Sequence, residues 1–155
     1  MNAMTARGLS LAAVVAVWTA ISHYAKLPLQ LWPILIGLGC FVAAGGGIPA
    51  LQKSVAGTAS GVIWALLAYT VSGALGRQSI VDALVLAAAA FGMVFQARLP
   101  LLSYTAGALA GAGVAMGTRV VNLNGGIRVA IALALGAALG FAAERLTDAI
   151  KTRSA

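Results

Sequence analysis

Long apolar stretches alternate with short polar connections along the whole 155-residue chain. A helix needs roughly 20 mostly apolar residues to cross a hydrocarbon core about 30 Å thick. Six stretches approach that length, at residues 8–24, 27–45, 55–75, 79–97, 99–118 and 128–143. Each is apolar on every side, whereas the strands of a membrane barrel alternate between apolar and polar residues. The pattern predicts an all-α integral membrane protein with about six transmembrane helices, in a single domain covering residues 1–155.

The composition agrees with a chain that lies in a lipid bilayer. Only 8% of the residues are charged and 61% are hydrophobic, whereas about 25% of the residues in a soluble domain are charged. This excludes a soluble enzyme, a disordered regulator and a secreted disulfide scaffold. The net charge is +7, but the basic residues are scattered singly and form no stripe for nucleic acid. We expect the bilayer as a partner, and no nucleic acid.

The distribution of basic residues predicts the orientation in the membrane. Six crossings place both termini on one side, and an excess of Lys and Arg marks the cytoplasmic side. The side of the termini carries Arg7, Lys53, Arg98, Arg145, Lys151 and Arg153, and the other side carries Lys26, Arg77, Arg119 and Arg128. We therefore expect cytoplasmic termini in a bacterial inner membrane. The apolar run after Arg7 also resembles a signal peptide, but no clean cleavage site follows, which predicts a retained first helix.

Two sequence echoes indicate an internal repeat. Residues 26–29 (Lys-Leu-Pro-Leu) recur as residues 98–101 (Arg-Leu-Pro-Leu), 72 positions later. At an offset of 75, a second set of small residues matches Ala132, Gly136 and Gly140 with Gly57, Gly61 and Ala65. Three helices per half give the halves opposite orientations in the membrane, as in many transporters. We expect inverted halves at about 8–76 and 79–143, then a charged tail at 144–155; chance matching between small residues is the alternative.

Glycines at helical spacing predict where the helices pack. Lipid tails are as apolar as Leu, so membrane helices associate through close contact of small residues. The candidates for helix packing are Gly57, Gly61, Gly107, Gly111, Gly136 and Gly140. Glycines that thin the wall of a pore are the alternative interpretation. Because these faces outnumber what six helices need internally, we also expect a homo-oligomer.

The triplet Gly45 to Gly47, followed by Pro49, ends the second apolar stretch. Glycine is a poor helix former and proline lacks a backbone donor. If the triplet lies inside the bilayer, it breaks the helix and exposes backbone groups, which is tolerated only inside protein or along a watery cavity. The alternative is a helix end at the membrane surface.

Residues for chemistry are scarce. The three acids are Asp82, placed to pair with Arg77 in a first helical turn, and Glu144 and Asp148 on the charged tail. No acid or His occupies a helix centre, which disfavours proton coupling. One Cys and one His cannot supply a metal site. The sequence predicts no catalytic residues, no cofactor and no metal, and therefore a protein that is not an enzyme.

The interior polar and aromatic residues favour passage of a small neutral solute. They offer no dense ring of carbonyls or charges for an ion. The pore or substrate candidates are Phe41, Gly45, Gly46, Gly47, Trp64, Tyr104 and Thr105. The predicted function is a channel or facilitator for a small-molecule solute. The alternative is a non-transporting scaffold or regulatory subunit of a partner protein; a carrier coupled through Asp82 also stays open.

Three segments carry a resemblance to a known family. They are the stretch around residues 39–41, the glycine cluster 45–47, and residues 60–65 (Ser-Gly-Val-Ile-Trp-Ala). Together they resemble the YcdZ-like family of small bacterial inner-membrane proteins, a domain of unknown function. The resemblance implies about six helices in the bacterial inner membrane. It implies no substrate and no functional residues.

Overall fold

A computed structural model describes residues 3–24 and 30–153 of the chain. Six α-helices follow one another: α1 (Ala3–Tyr24), α2 (Leu31–Ala43), α3 (Gly47–Ala74), α4 (Ser79–Phe95), α5 (Thr105–Gly117) and α6 (Leu123–Arg153). Two 3-10 turns, Gln96–Arg98 and Pro100–Leu102, connect α4 to α5. The described ranges contain no strand, so the all-α prediction is confirmed for them.

The helices fall into two length classes. Within the described residues, α1, α3, α4 and α6 are long and apolar enough to cross a membrane. Helices α2 and α5 have 13 residues each, or about 20 Å at 1.5 Å per residue. That is shorter than a hydrocarbon core of about 30 Å. The expected six full-length spans therefore become four long helices and two short ones.

Local sequence explains why the short helices are short. After α2, Gly45, Gly46 and Gly47 have φ angles of 97°, 80° and 76°, a left-handed region that side chains disfavour. Before α5, the predicted span 99–118 loses its first turns to the 3-10 segment around Pro100. The second copy of the repeated tetrapeptide thus forms turns, and the first copy, residues 26–29, lies outside the described residues.

Helices α3 and α6 form an antiparallel central pair. Near one end, the first residue of α3, Gly47, contacts Glu144 late in α6. Near the other end, Gly126 early in α6 contacts Val62 and Leu66 late in α3. Helices α2 and α1 pack against α6, and α5 and α4 pack against α3. The central pair therefore organises the whole bundle.

Each short helix is held by reciprocal glycine contacts. Between α2 and α6, a Cβ on Gly37 would collide with the backbone of Leu133, and one on Gly136 with the backbone of Ile34. Between α3 and α5, Gly61 meets the backbone of Ala108, and Gly111 meets that of Thr58 in the same way. Such backbone contact is how membrane helices gain close packing.

All six glycines predicted for helix packing are buried. Three of them, Gly61, Gly111 and Gly136, make the backbone contacts just described. Among the other three, Gly57 faces the backbone carbonyl of Tyr104, Gly107 is covered by the Tyr104 ring, and Gly140 is covered by the Phe41 ring.

Helix α6 runs without interruption to Arg153. The boundary predicted at residue 144, between the second half and a charged tail, therefore falls inside a helix. Residues 144 and 147 lie on its inner side, where Glu144 is half-buried and Thr147 is buried. The first part of the expected solvated tail is a packed part of the bundle.

Candidate functional site

A cavity of about 170 Å³ lies where α2 turns into α3, and we call it the α2–α3 cavity. The three glycines of the turn allow the chain to reverse direction beside the end of α6. The cavity combines residues from α1, α2, α6 and the turn. Its lining consists of Arg7, Ser10, Leu11, Phe41, Val42, Gly45, Gly46, Gly140, Ala143, Glu144 and Thr147.

Glu144 fastens the beginning of α3 from across the bundle. The Gly47 N–H donates a hydrogen bond of 2.7 Å to Glu144 Oε2. A carboxylate at a helix N-terminus is favoured by the free N–H groups and by the helix dipole. A Cβ on Gly46 would lie 2.5 Å from Glu144 Oε1. The glycine at this position therefore makes room for the carboxylate.

Two buried hydroxyls join α1 to α6 beside Glu144. Ser10 and Thr147 are only 1% and 3% exposed, and their hydroxyl oxygens contact each other. Ser10 Oγ also lies 3.0 Å from the Arg7 carbonyl oxygen, and Thr147 Oγ1 lies 2.9 Å from that of Ala143. Two hydroxyl protons can serve only two of these three contacts at a time, and most lone pairs of the two hydroxyl oxygens stay available as acceptors. The inner wall of the cavity is accordingly polar.

The structure separates the predicted pore residues into two groups. Phe41, Gly45 and Gly46 line the α2–α3 cavity, and Gly47 binds Glu144 at its edge. Trp64, Tyr104 and Thr105 lie elsewhere, around α3 and the start of α5. The sequence pattern therefore places seven residues in one pathway that the structure divides between neighbouring parts of the bundle.

The second group is organised by hydrogen bonds. Trp64 Nε1 donates to Gln96 Oε1 at 3.0 Å, and Gln96 Nε2 donates to Ser60 Oγ at 2.9 Å. This chain ties the end of α4 to the middle of α3. Tyr104, just before α5, and Cys40 of α2 lie close to each other. Thr105 is the first residue of α5.

A further cavity of about 190 Å³ lies near the other end of the central pair, and we call it the α3–α4 cavity. Its lining consists of Ala65, Ala68, Tyr69, Ser72, Arg77, Asp82, Leu86 and Met116. The Arg77 guanidinium lies 4.2 Å from the centre of the Tyr69 ring. Asp82 Oδ1 is buried and has no hydrogen-bond partner among the described residues. The expected pairing of Asp82 with Arg77 is replaced by this stacking of the arginine.

Several residues of these sites were not predicted from the sequence. Three of them are polar residues within or beside apolar runs: Ser10, Thr147 and Gln96. A polar residue in an apolar run was the signal that could have identified them. Glu144 gave no signal, because its partner Gly47 is 97 residues away in sequence. Because Arg145 follows it directly, Glu144 was interpreted as one of the charged residues of a solvated helix end.

Comparison with known proteins places the chain in a family. It is 32% identical over 121 residues to the uncharacterized protein YahC of Escherichia coli (strain K12), an alignment covering 72% of this chain and 73% of the relative. No solved structure matches. The narrower YcdZ-like grouping stays a prediction. The family model "Protein of unknown function (DUF1097)" matches residues 8–148, and the chain belongs to that family.

Proposed function

We propose that the chain is a passive channel or facilitator for a small neutral solute in the bacterial inner membrane. It consists of two inverted halves, α1–α3 and α4–α6, and it uses no enzymatic step, cofactor or metal. One observation carries the proposal: α2 lies on α6 in the same manner as α5 lies on α3. Inverted pairs of this kind recur in transporters, where the solute site lies between the halves.

The matched contacts use equivalent positions in the two halves. Gly37 of α2 faces the backbone of Leu133, and Gly111 of α5 faces the backbone of Thr58. Gly111 follows Gly37 by 74 positions, and Leu133 follows Thr58 by 75. The reciprocal contacts have the same offsets. These values are close to the offsets of 72 and 75 between the sequence echoes, which supports a common origin for the halves.

The directions of the helices support six alternating segments. If only α1, α3, α4 and α6 alternated across the membrane, α3 and α6 would run parallel. They run antiparallel, as six alternating segments require. The short helices then cross where the bilayer is locally thinned. An even number of segments places both termini on one side, which we assign to the cytoplasm from the excess of basic residues.

The positions of the acids favour a passive mechanism. Asp82 lies in the first turn of α4, Glu144 caps the start of α3, and Asp148 lies near the end of α6. Proton-coupled carriers usually hold an ionisable group at the centre of the membrane. The centre of this bundle is closed by apolar residues instead, among which Val62, Ala108 and Leu133 are at most 2% exposed. Conduction therefore requires the two halves to separate.

We also propose that the protein works as a homo-oligomer. Gly39 on α2 and Gly113 on α5 are exposed, and a Cβ on either would meet nothing within 4 Å. Small residues exposed on helix faces allow a second copy to approach closely. Crosslinking in native membranes checks this: a ladder that ends at a defined number of copies supports the oligomer, and a monomer at all crosslinker concentrations contradicts it.

The test of the function is solute flux in vesicles. Purified protein is reconstituted at a fixed protein-to-lipid ratio, and stopped-flow light scattering follows the entry of water, urea and glycerol. We expect at least one of these solutes to enter several times faster than into empty vesicles. Vesicles containing an unrelated membrane protein of similar size control for leakage. Equal rates with all three preparations across the panel would refute the proposal.

The same preparation tests the scaffold alternative. A foreign protein that copurifies from native membranes at a fixed ratio, together with the absence of flux, would favour a regulatory or scaffolding subunit. The orientation is tested with a fluorescent protein fused after residue 155. Because green fluorescent protein becomes fluorescent when it stays in the cytoplasm, we expect bright cells, and dark cells would reverse the assigned orientation.

A further inference from the structure

The two cavities described above are built from equivalent positions. Four residues of α3 line the α3–α4 cavity, and the four residues of α6 that follow them by 75 positions line the α2–α3 cavity. Ala68 corresponds in this way to Ala143, and Ser72 to Thr147. The correspondence extends beyond the central pair, because Met116 of α5 follows Val42 of α2 by 74 positions and each lines its own cavity.

The outer helices match as well. Asp82 of α4 lines one cavity, and Ser10 of α1, 72 positions earlier, lines the other. The offset is 72 between α1 and α4, 74 between α2 and α5, and 75 between α3 and α6. A cavity found twice, at opposite ends of an antiparallel pair and in the same register, is more than an accidental packing gap. It is a feature of the half itself.

The two linings also share their chemistry. Each cavity contains one carboxylate, from Asp82 or Glu144, and one arginine, from Arg77 or Arg7. Their formal charges cancel, so neither cavity favours a free anion or cation. Each also contains two hydroxyl residues, Ser10 and Thr147 in one cavity and Tyr69 and Ser72 in the other. Each lining therefore combines carboxylate acceptors with hydroxyl groups and one guanidinium donor.

One carboxylate atom points to what the guest must offer. Asp82 Oδ1 is buried without a hydrogen-bond partner among the described residues. A buried acceptor without a donor costs free energy, so a guest that supplies an N–H or O–H group binds favourably there. In the other cavity, Glu144 Oε2 accepts from Gly47, and a carboxylate oxygen has lone pairs for further donors. Both cavities therefore offer a carboxylate acceptor to a guest that carries N–H or O–H groups.

We propose that the α2–α3 and α3–α4 cavities are the two ends of one solute pathway and bind the same class of guest. That guest is a small uncharged molecule with at least two hydroxyl or amide donors, such as a short polyol or a urea-like amide. The proposal rests on the facilitator function, and it adds where the solute binds and which groups recognise it. Dissolved gases and inorganic ions do not meet the requirement.

The test combines flux with binding, measured with glycerol and urea as probes. Ala68→Leu and Ala143→Leu fill equivalent walls of the two cavities, and we expect each to lower the flux of both probes about tenfold. The matched controls Ala74→Leu and Ala138→Leu place the same side chain at exposed positions of α3 and α6. We expect their flux to stay within about twofold of the unmodified protein.

A milder pair of variants covers the case in which a buried leucine prevents folding. Asp82→Asn retains the size of the side chain, and Ser72→Ala removes only a hydroxyl. We expect either to raise the half-saturating glycerol concentration about tenfold. In the unmodified protein, excess glycerol should compete with labelled urea, because both occupy one site.

Binding is followed separately by saturation-transfer NMR on the detergent-solubilised protein. One outcome is saturation transfer to glycerol that is lost in Asp82→Asn, together with no flux in vesicles. This outcome would contradict facilitation and leave the cavity assignment intact. If all four cavity variants have the same flux as the unmodified protein, the cavity assignment is wrong and facilitation is still supported. Faster flux of an ion than of either probe, or absence of both flux and transfer, would overturn the assigned guest.

Discussion

The contact between α3 and α5 gives a sharp test of the packing. A Cβ on Gly61 would meet the Ala108 carbonyl, lying 2.7 Å from its carbon and 2.8 Å from the nitrogen of Ala112. Ordinary van der Waals contact begins at 3.4 Å. Relief at the carbonyl carbon alone requires a shift of 0.7 Å (3.4 minus 2.7), and the carbonyl oxygen, which lies nearer, requires the helices to separate further. Both atoms belong to backbone, so no change of rotamer relieves the collision.

The expected loss of stability follows from that collision. Overpacking typically costs about 1–3 kcal/mol, and a collision between two helix backbones belongs at the upper end of that range. We expect Gly61→Ala to lower the free energy of unfolding by about 3 kcal/mol. The equivalent variant Gly136→Ala, whose Cβ would lie 2.8 Å from the nitrogen of Leu38, should lose a similar amount.

Two other glycines on the short helices are matched controls. Gly113 on α5 and Gly39 on α2 have nothing within 4 Å of an added Cβ. Alanine is favoured over glycine in an exposed helix interior by about 1 kcal/mol, so these variants should be neutral or more stable. The assay is SDS-induced unfolding in mixed micelles, followed by tryptophan fluorescence. If Gly61→Ala and Gly113→Ala unfold at the same SDS fraction, the close approach of α3 and α5 is wrong.

Three further predictions use the same unfolding assay. Glu144→Ala removes the cap on Gly47 and should cost about 1–2 kcal/mol, whereas Glu144→Gln retains an acceptor and should lose less; equal losses would contradict the cap. Gln96→Ala deprives the Trp64 N–H of its acceptor and should cost about 1–2 kcal/mol, and an unchanged stability would mean that this hydrogen bond does not form. Arg119 has a φ of 53°, so Arg119→Gly should be neutral or stabilising by up to about 1 kcal/mol, while a clear loss would indicate a different turn.

Hydropathy predicted the long helices well, because an apolar run of about 20 residues leaves few alternatives to a helix. It failed at α5, whose predicted span began at residue 99. The sequence around Pro100 is as apolar as a helix, so hydropathy cannot distinguish a 3-10 turn from a helical entry. Proline geometry was the available signal, since its missing N–H and fixed φ favour a turn or a first helical turn.

The glycine spacing predicted the buried faces, but not which helix each face meets. That pairing depends on how the helices are aligned against one another in the fold, and the sequence offsets give this alignment only in part. At the offset of 72 between residues 26–29 and 98–101, Gly111 would correspond to Gly39. The contacts instead place Gly111 in the role of Gly37. The two alignments differ by two residues.

The candidate site was predicted only around Phe41 and the glycine triplet. The role of Glu144 in this site was not predicted, because in the sequence it is one of several charged residues near the end of an apolar run. Recognising it required knowing that α6 returns antiparallel to the start of α3. A partner at long sequence separation leaves no local pattern, so such a contact becomes visible only once the chain is folded.

The hydrogen bond between Gly47 and Glu144 also constrains how the protein is made. The residues are 97 positions apart, and a ribosome adds about 5–20 residues per second. The amide at the start of α3 therefore waits about 5–20 s after synthesis before its acceptor enters the membrane. During that interval the first half has to stay inserted without the hydrogen bond between Gly47 and Glu144. A product truncated before residue 144 consequently lacks the carboxylate that fastens the start of α3.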